Sequence, residues 1–159
     1  MRRLRLSGVK TSEKGKPVKA VIDTNVLVSG LFAESGAVAE LRELWYDGRF
    51  ELVTSEEILS ELFRVFHKPT IQNHFKPAED DIREYIETIR GKAVITADLY
   101  QTDRIRKDPT DNKFLACALE AKAEYVVSGD KHLRNLKHFH GVKIVDVKTF
   151  VEKVRKAQA

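Results

Sequence analysis

The stretch DPTDNKFLACALEAKAEYVVSGD, residues 108–130, sets the reading of the whole chain. Its apolar residues recur at helical spacing from about Thr110 to Ala121. A short apolar run, Glu124 to Val127, then reads as a strand, and Ser-Gly-Asp is turn chemistry at its end. Near the start, VIDTNVLVSG (residues 21–30) repeats the arrangement. A buried strand from Val18 to Ile22 ends on Asp23, and a helix follows from Val26 to Phe32.

Working outward, Ser35 is expected to cap a helix that carries Val38, Leu41 and Trp45 and stops at Gly48. Phe50 to Val53 reads as a second strand. Thr54 with Glu57 three residues on has the pattern of a capping box, opening a helix with Ile58, Leu59, Leu62, Phe63 and Phe66 on one stripe. That helix ends near His67–Pro69. Pro77 and Gly91 bracket another, Ala93 to Thr96 is a third strand, and Ala97 to Pro109 reads as loop. A short helical turn follows Asp130, Val142 to Val145 is a fifth strand, and Asp146 caps a closing helix. Strands regularly separated by helices imply an α/β fold with a parallel sheet covered on both faces.

In such a sheet the carboxyl ends of the strands share one edge, where ligands bind. Asp23 follows its strand directly, Asp130 lies just past the end of another, and Asp111 opens the helix between them. Each has an ordinary reading as a turn or cap residue, or as a favourable partner of a helix dipole. Together they are a set of like charges that calls for a cation. Hard divalent ions such as Mg²⁺ or Mn²⁺ prefer oxygen ligands of this kind, which points to a metal-dependent enzyme acting on phosphates. Asn25 is a candidate to orient Asp23 through a hydrogen bond, and Thr24 a candidate for a similar role or for a cap. At roughly 100° per residue, Glu56 and Glu61 border opposite sides of the apolar stripe of their helix, and periodicity nominates both equally.

Composition narrows the class. With 159 residues, 42% hydrophobic and 33% charged, the chain suits one globular domain. No run of eighteen apolar residues is present, and MRRLRLSGVK has the charge of a signal peptide without its apolar stretch. Cys117 is the sole cysteine, which excludes an intrachain disulfide and suits a cytoplasmic location; it is expected to pack beside Phe114 and Leu115, and Trp45 to lie in the core. The net charge of +4 is unevenly spread: residues 1–19 hold seven Lys or Arg against Glu13, while the other 140 carry 21 basic and 23 acidic groups. Residues 1–17 therefore read as a basic, flexible N-terminal arm and residues 18–159 as the folded domain.

The blocks VIDTNVLVSGLF, SEEILSELFRVF, DPTDNKFLACALEAKAEYVVSGDKHL and KIVDVKTFVEKV resemble, in order, those of a PIN domain, over roughly Val18 to Val154. The likeness is to the branch containing toxin components of toxin–antitoxin pairs. The resemblance implies a three-layer α/β/α sandwich with a parallel sheet of about five strands. It implies a Mg²⁺- or Mn²⁺-dependent endoribonuclease in which water activated by the metal attacks the RNA phosphodiester. Carried over by position, the metal-holding and catalytic quartet is Asp23, Glu61, Asp111 and Asp130, with Ser128 and Asn25 at bordering polar positions. Many relatives carry a further acid where this chain has His132, so a second metal is not implied with the same force. An antitoxin partner and a homodimer are family expectations.

Beyond Asp130, residues 131–143 contain no acid and carry Lys131, Arg134 and Lys137, candidates for RNA phosphate contacts, against the ordinary reading of a solvated turn. His138 and His140 alone are too few for a soft-metal site. Two rival functions remain: a catalytically silent RNA- or partner-binding module on the same fold, and a phosphoryl-accepting receiver-like domain.

Overall fold

Lys19–Ile22 form β1, whose last three residues are buried, as befits a strand covered on both faces. The computed structural model describes residues 16–99 and 112–157, so residues 1–15 of the arm expected over residues 1–17, and most of the loop expected before Pro109, lie outside the described residues. From β1 the chain runs through helices α1 (Thr24–Phe32) and α2 (Gly36–Tyr46) to β2 (Glu51–Ser55). Then come α3 (Glu56–Phe66), α4 (Pro69–Phe75), α5 (Glu79–Lys92) and β3 (Val94–Thr96). The second half is α6 (Asn112–Ala121), β4 (Tyr125–Val127), α7 (Lys131–Asn135), β5 (His138–Phe139), β6 (Val142–Val145) and α8 (Val147–Ala157).

Among the described residues the strands form one sheet in the order β3-β2-β1-β4-β6-β5. All neighbours pair in parallel except β5, a two-residue antiparallel edge on β6. The expected α/β/α architecture is present. The sheet has one more strand than the sequence suggested, because β5 is too short to register as a periodic run. Helix α6 lies against β1, β2, β3 and β4, while α1 packs on α2 and α3, α3 on α5, and α2 on α8. The core includes Trp45, Phe50, Phe66, Ile89, Leu115 and Phe150, with the rings of Phe50 and Phe150 edge to face at 5.0 Å. Cys117 is buried as expected, and its burial pushes the thiol up to about 12, so it is an inert packing residue.

Three local expectations give way. The strand that precedes α3 continues through Thr54 and Ser55, because both pair with β3. The cap of α3 is therefore Ser55, whose hydroxyl accepts from the Ile58 N–H at 3.2 Å, and the Thr54–Glu57 capping box does not form. Phe63 leaves the stripe: it is 44% exposed, with its ring against His67. Gly91 does not stop its helix, which runs to Lys92. An element the sequence did not suggest, α4, starts with Pro69 and is held by Phe75 stacked on Phe32 at 4.1 Å.

Candidate metal centre at the carboxyl edge of the sheet

The chain leaves β1 towards β2 and β3 on one side and later returns to β1's other side as β4. The order reverses between β1 and β4, and in open parallel sheets that crevice is where ligands bind. Asp23 is the first residue after β1, and Ser128 the first after β4. The Asp23 N–H donates to the Val127 carbonyl at 3.0 Å, which ties the two strand ends together.

Asp23 is only 4% exposed. Its Oδ1 accepts from the Val26 N–H at 2.9 Å, making it the N-cap of α1, and its Oδ2 accepts a short hydrogen bond from the Ser128 hydroxyl. The same hydroxyl accepts from the Asp130 N–H at 2.9 Å. Asp130 caps α7, its Oδ1 taking the N–H groups of His132 at 2.7 Å and Leu133 at 3.2 Å. Burial raises the Asp23 pKa, opposed by the hydrogen bonds from Ser128, Val26 and Gly129, and the nearby charge of Asp130 raises it further. Among the described residues no cationic side chain pairs with either aspartate.

Glu61 arrives from α3. The Thr24 hydroxyl donates to its Oε1, so the residue after Asp23 in sequence anchors the third carboxylate. Lys113 Nζ lies 3.2 Å from that same oxygen. The tie that periodicity left between Glu56 and Glu61 is thereby broken. Glu56 turns away to Arg90, accepting at 3.0 and 3.1 Å, and this pair lowers its pKa.

The remaining sequence candidates divide. Asp111 lies outside the described residues. Thr24 and Ser128 are buried and bonded to site carboxylates. Asn25 is exposed and makes no hydrogen bond to Asp23: at the second position of α1 it faces away, and Asp23 is held by Ser128 and Val26 instead. Lys131 and Lys137 are exposed beside the Asp130 turn, whereas Arg134 is half-buried with Nη2 3.5 Å from the Gly129 carbonyl. Sequence reasoning passed over Lys113. The available signal was its position: a lysine in the first turn of a helix opposes the helix dipole, so local preference does not account for it.

Among the described residues no three acidic, histidine or cysteine side chains cluster closely enough to hold a metal by themselves. The donor chemistry nonetheless fits a hard divalent ion. Asp23, Asp130 and Glu61 offer only carboxylate oxygens, and the buried Asp23 has neutral hydrogen-bond donors around it. Oδ2 of Asp130 has no hydrogen-bond partner among the described residues.

Residues 19–132 match the PIN domain, and the chain is a member of the PIN domain family, whose members are generally nucleases that use divalent metal ions. The chain is 29% identical over 120 residues to the uncharacterized protein MJ1680 of Methanocaldococcus jannaschii, covering 76% of each chain. Its fold also matches the VapBC2 structure from Rickettsia felis bound to a DNA fragment from their promoter. The TM-score is 0.52 at 13% identity, covering 80% of this chain and 98% of the other. No described helix is long and apolar enough to cross a membrane.

Proposed function

We propose that this chain is a Mg²⁺- or Mn²⁺-dependent endoribonuclease of the cytoplasm, acting as the toxin of a toxin–antitoxin pair. The observation that carries the reading is the clasped pair at the β1/β4 crevice: a buried Asp23 carboxylate bridged by Ser128 to the backbone of Asp130, with Glu61 tied in through Thr24. Asp23, Glu61 and Asp130, together with Asp111, would hold the ion. When bound, a divalent ion makes water a stronger nucleophile near neutral pH and offsets charge building up on the phosphodiester.

The chain's own residues prepare that chemistry. Ser128 and the Val26 N–H fix the rotamer of Asp23, and the Thr24 hydroxyl fixes Glu61. The backbone N–H groups at the start of α7 orient Asp130. Lys131 and Lys137, exposed just past it, meet RNA phosphates, and Arg134 adds positive charge from its half-buried position. Antitoxin pairing is supported by the VapBC2 likeness in fold, and homodimerisation by the family resemblance alone.

The test is incubation of purified protein with labelled single-stranded RNA in Mn²⁺, Mg²⁺ or EDTA, beside Asp111→Asn and Asp130→Asn. Cleavage that needs the metal and vanishes in both variants supports the reading. Metal binding without cleavage of any RNA favours the alternative, a silent RNA- or partner-binding module. Covalent phosphorylation of one aspartate by acetyl phosphate would instead indicate a receiver-like domain.

A further inference from the structure

Residues 131–143 contain no Asp or Glu. Lys131, Lys137, His138, His140 and Lys143 are exposed there, and among the described residues none of them pairs with a carboxylate. Two acids on the flanking strands' ends take backbone donors instead: Glu124 accepts from the Lys19 N–H at 2.9 Å, and Asp146 from the Thr149 N–H at 2.8 Å.

The fold draws these basic residues out in a row. Asp130 caps α7 at the carboxyl edge of the sheet. From there β5 runs back antiparallel to β6, so the turn at His140–Gly141 lies at the opposite, amino edge. The row follows the open side of the sheet, because β5 is its last strand. The four residues of β6 alone span about 13 Å at the usual strand rise. Pairing sets His138 directly opposite Lys143, with Phe139 and Val142 buried on the other face. Two basic residues facing each other do nothing to hold the strands together.

Backbone conformation singles out two of the same side chains. Lys137 has φ 64° and His140 φ 49°, with Gly141 following at φ 87°. A two-residue hairpin loop with both central φ values positive favours Asn or Asp at its first position. Lysine and histidine stand in these left-handed places, although both are exposed and burial does not account for them. Lysine on an edge strand can guard against edge-to-edge pairing, but Lys137 and His140 lie in the turns that flank β5.

We propose that this row is the docking track for single-stranded RNA leading away from the crevice. Lys131, Lys137 and Lys143 meet its phosphates, and the rings of His138 and His140 offer faces on which unpaired bases stack. Cations interleaved with rings suit a single strand, whose bases are free to stack, rather than a duplex that hides them. The track rests on the ribonuclease reading for its ligand and extends it by some strand lengths beyond the carboxylates.

The experiment is fluorescence anisotropy of labelled single-stranded RNA with full-length wild type, Lys137→Asn, Lys143→Gln and His140→Asn. It is run across a salt series, in EDTA to prevent metal-dependent cleavage, and at about pH 8 to keep imidazole charge low. Asparagine suits left-handed backbone, so Lys137→Asn and His140→Asn should melt no lower than wild type. Each lysine variant should bind more weakly and reduce the slope of log affinity against log salt by about 0.7. His140→Asn should bind about fivefold or more weakly with its slope kept. Wild-type affinity and slope in all three folded variants would overturn the track. An RNA duplex bound as tightly as the single strand would overturn the stacking. Cleavage assays in Mn²⁺ separate this proposal from the reading beneath it. Binding through the row by a wild type that cleaves no RNA would count against the nuclease and leave the track standing. Metal-dependent cleavage with wild-type kcat/KM in every variant would overturn the track and leave the nuclease standing.

Discussion

The Ser128 hydroxyl donates to Asp23 Oδ2 while accepting from the Asp130 N–H at 2.9 Å, so one oxygen joins the ends of β1 and β4 across the point where strand order reverses. Two aspartates 107 positions apart in the chain are set against each other by it.

Replacing Ser128 by alanine removes both hydrogen bonds and leaves the buried Asp23 oxygen without that donor. The expected cost is about 1–3 kcal/mol of stability, since unmet buried groups carry the desolvation penalty. Metal affinity should fall roughly 10–100-fold, as when an orienting partner of a ligand is lost. Denaturant unfolding and Mn²⁺ titration of the variant check the two effects separately.

Asp23→Asn removes the charge, and the Ser128 hydroxyl must then turn to accept from the amide N–H. The amide keeps an oxygen for the Val26 cap but cannot serve as an anionic ligand, so cleavage should fall by at least about two orders of magnitude. Stability should move the other way with pH. The raised pKa of Asp23 means that the folded state binds its proton more tightly than the unfolded state, so stability falls as pH rises through the window between the unfolded and folded values. At neutral pH the metal-free asparagine variant should therefore be at least as stable as wild type. Wild type should gain on it as pH drops towards 4, close to the ordinary aspartate value of 3.8. Melting curves across that range, with EDTA present, give the answer.

The two glutamates that periodicity could not separate should separate in function. Glu61→Gln is expected to abolish metal-dependent cleavage. Glu56→Gln should leave activity intact and cost at most about 1 kcal/mol, because its partner Arg90 is on the surface. Loss of cleavage in Glu56→Gln, with Glu61→Gln active, would invert the assignment.

Gly30 in α1 faces Tyr85, and a methyl group there would lie 2.6 Å from the Tyr85 hydroxyl oxygen. That hydroxyl donates to the Leu27 carbonyl at 2.6 Å, and its burial raises the Tyr85 pKa. Gly→Ala normally favours a helix, yet here it must displace the ring and should destabilise by about 1–3 kcal/mol. Tyr85→Phe alone should cost about 1 kcal/mol through the lost hydrogen bond. The double variant should be more stable than the sum of the single costs implies, a coupling that a double-mutant cycle in urea measures directly.

Much of this site was legible before folding was considered. Asp23 and Asp130 lie just past apolar runs that read as buried strands, and a carboxylate at such a strand end falls on the ligand-binding edge of a parallel sheet. Local signals failed where tertiary pairing overrode them. Thr54 and Ser55 were drawn into β2 by β3, which moved the cap of α3 by one residue; Phe63 sits on the geometric edge of its stripe, where it stays 44% exposed. Asn25 illustrates the same limit, since a side chain next to Asp23 in sequence points elsewhere once the helix winds.

By itself, the sequence determined the alternation of strands and helices, and therefore a parallel sheet whose carboxyl edge gathers acids, because periodicity and strand ends are written in local residue order. Local periodicity left the two glutamates level and only the resemblance singled out Glu61; the tertiary structure supplied the contacts that set them apart and the cation beside Glu61. Glu56 and Glu61 are equivalent around their helix axis; the approach of Arg90 to one and of Thr24 and Lys113 to the other tells them apart. Those neighbours come from helices distant in the chain, and no local periodicity encodes which of them will meet.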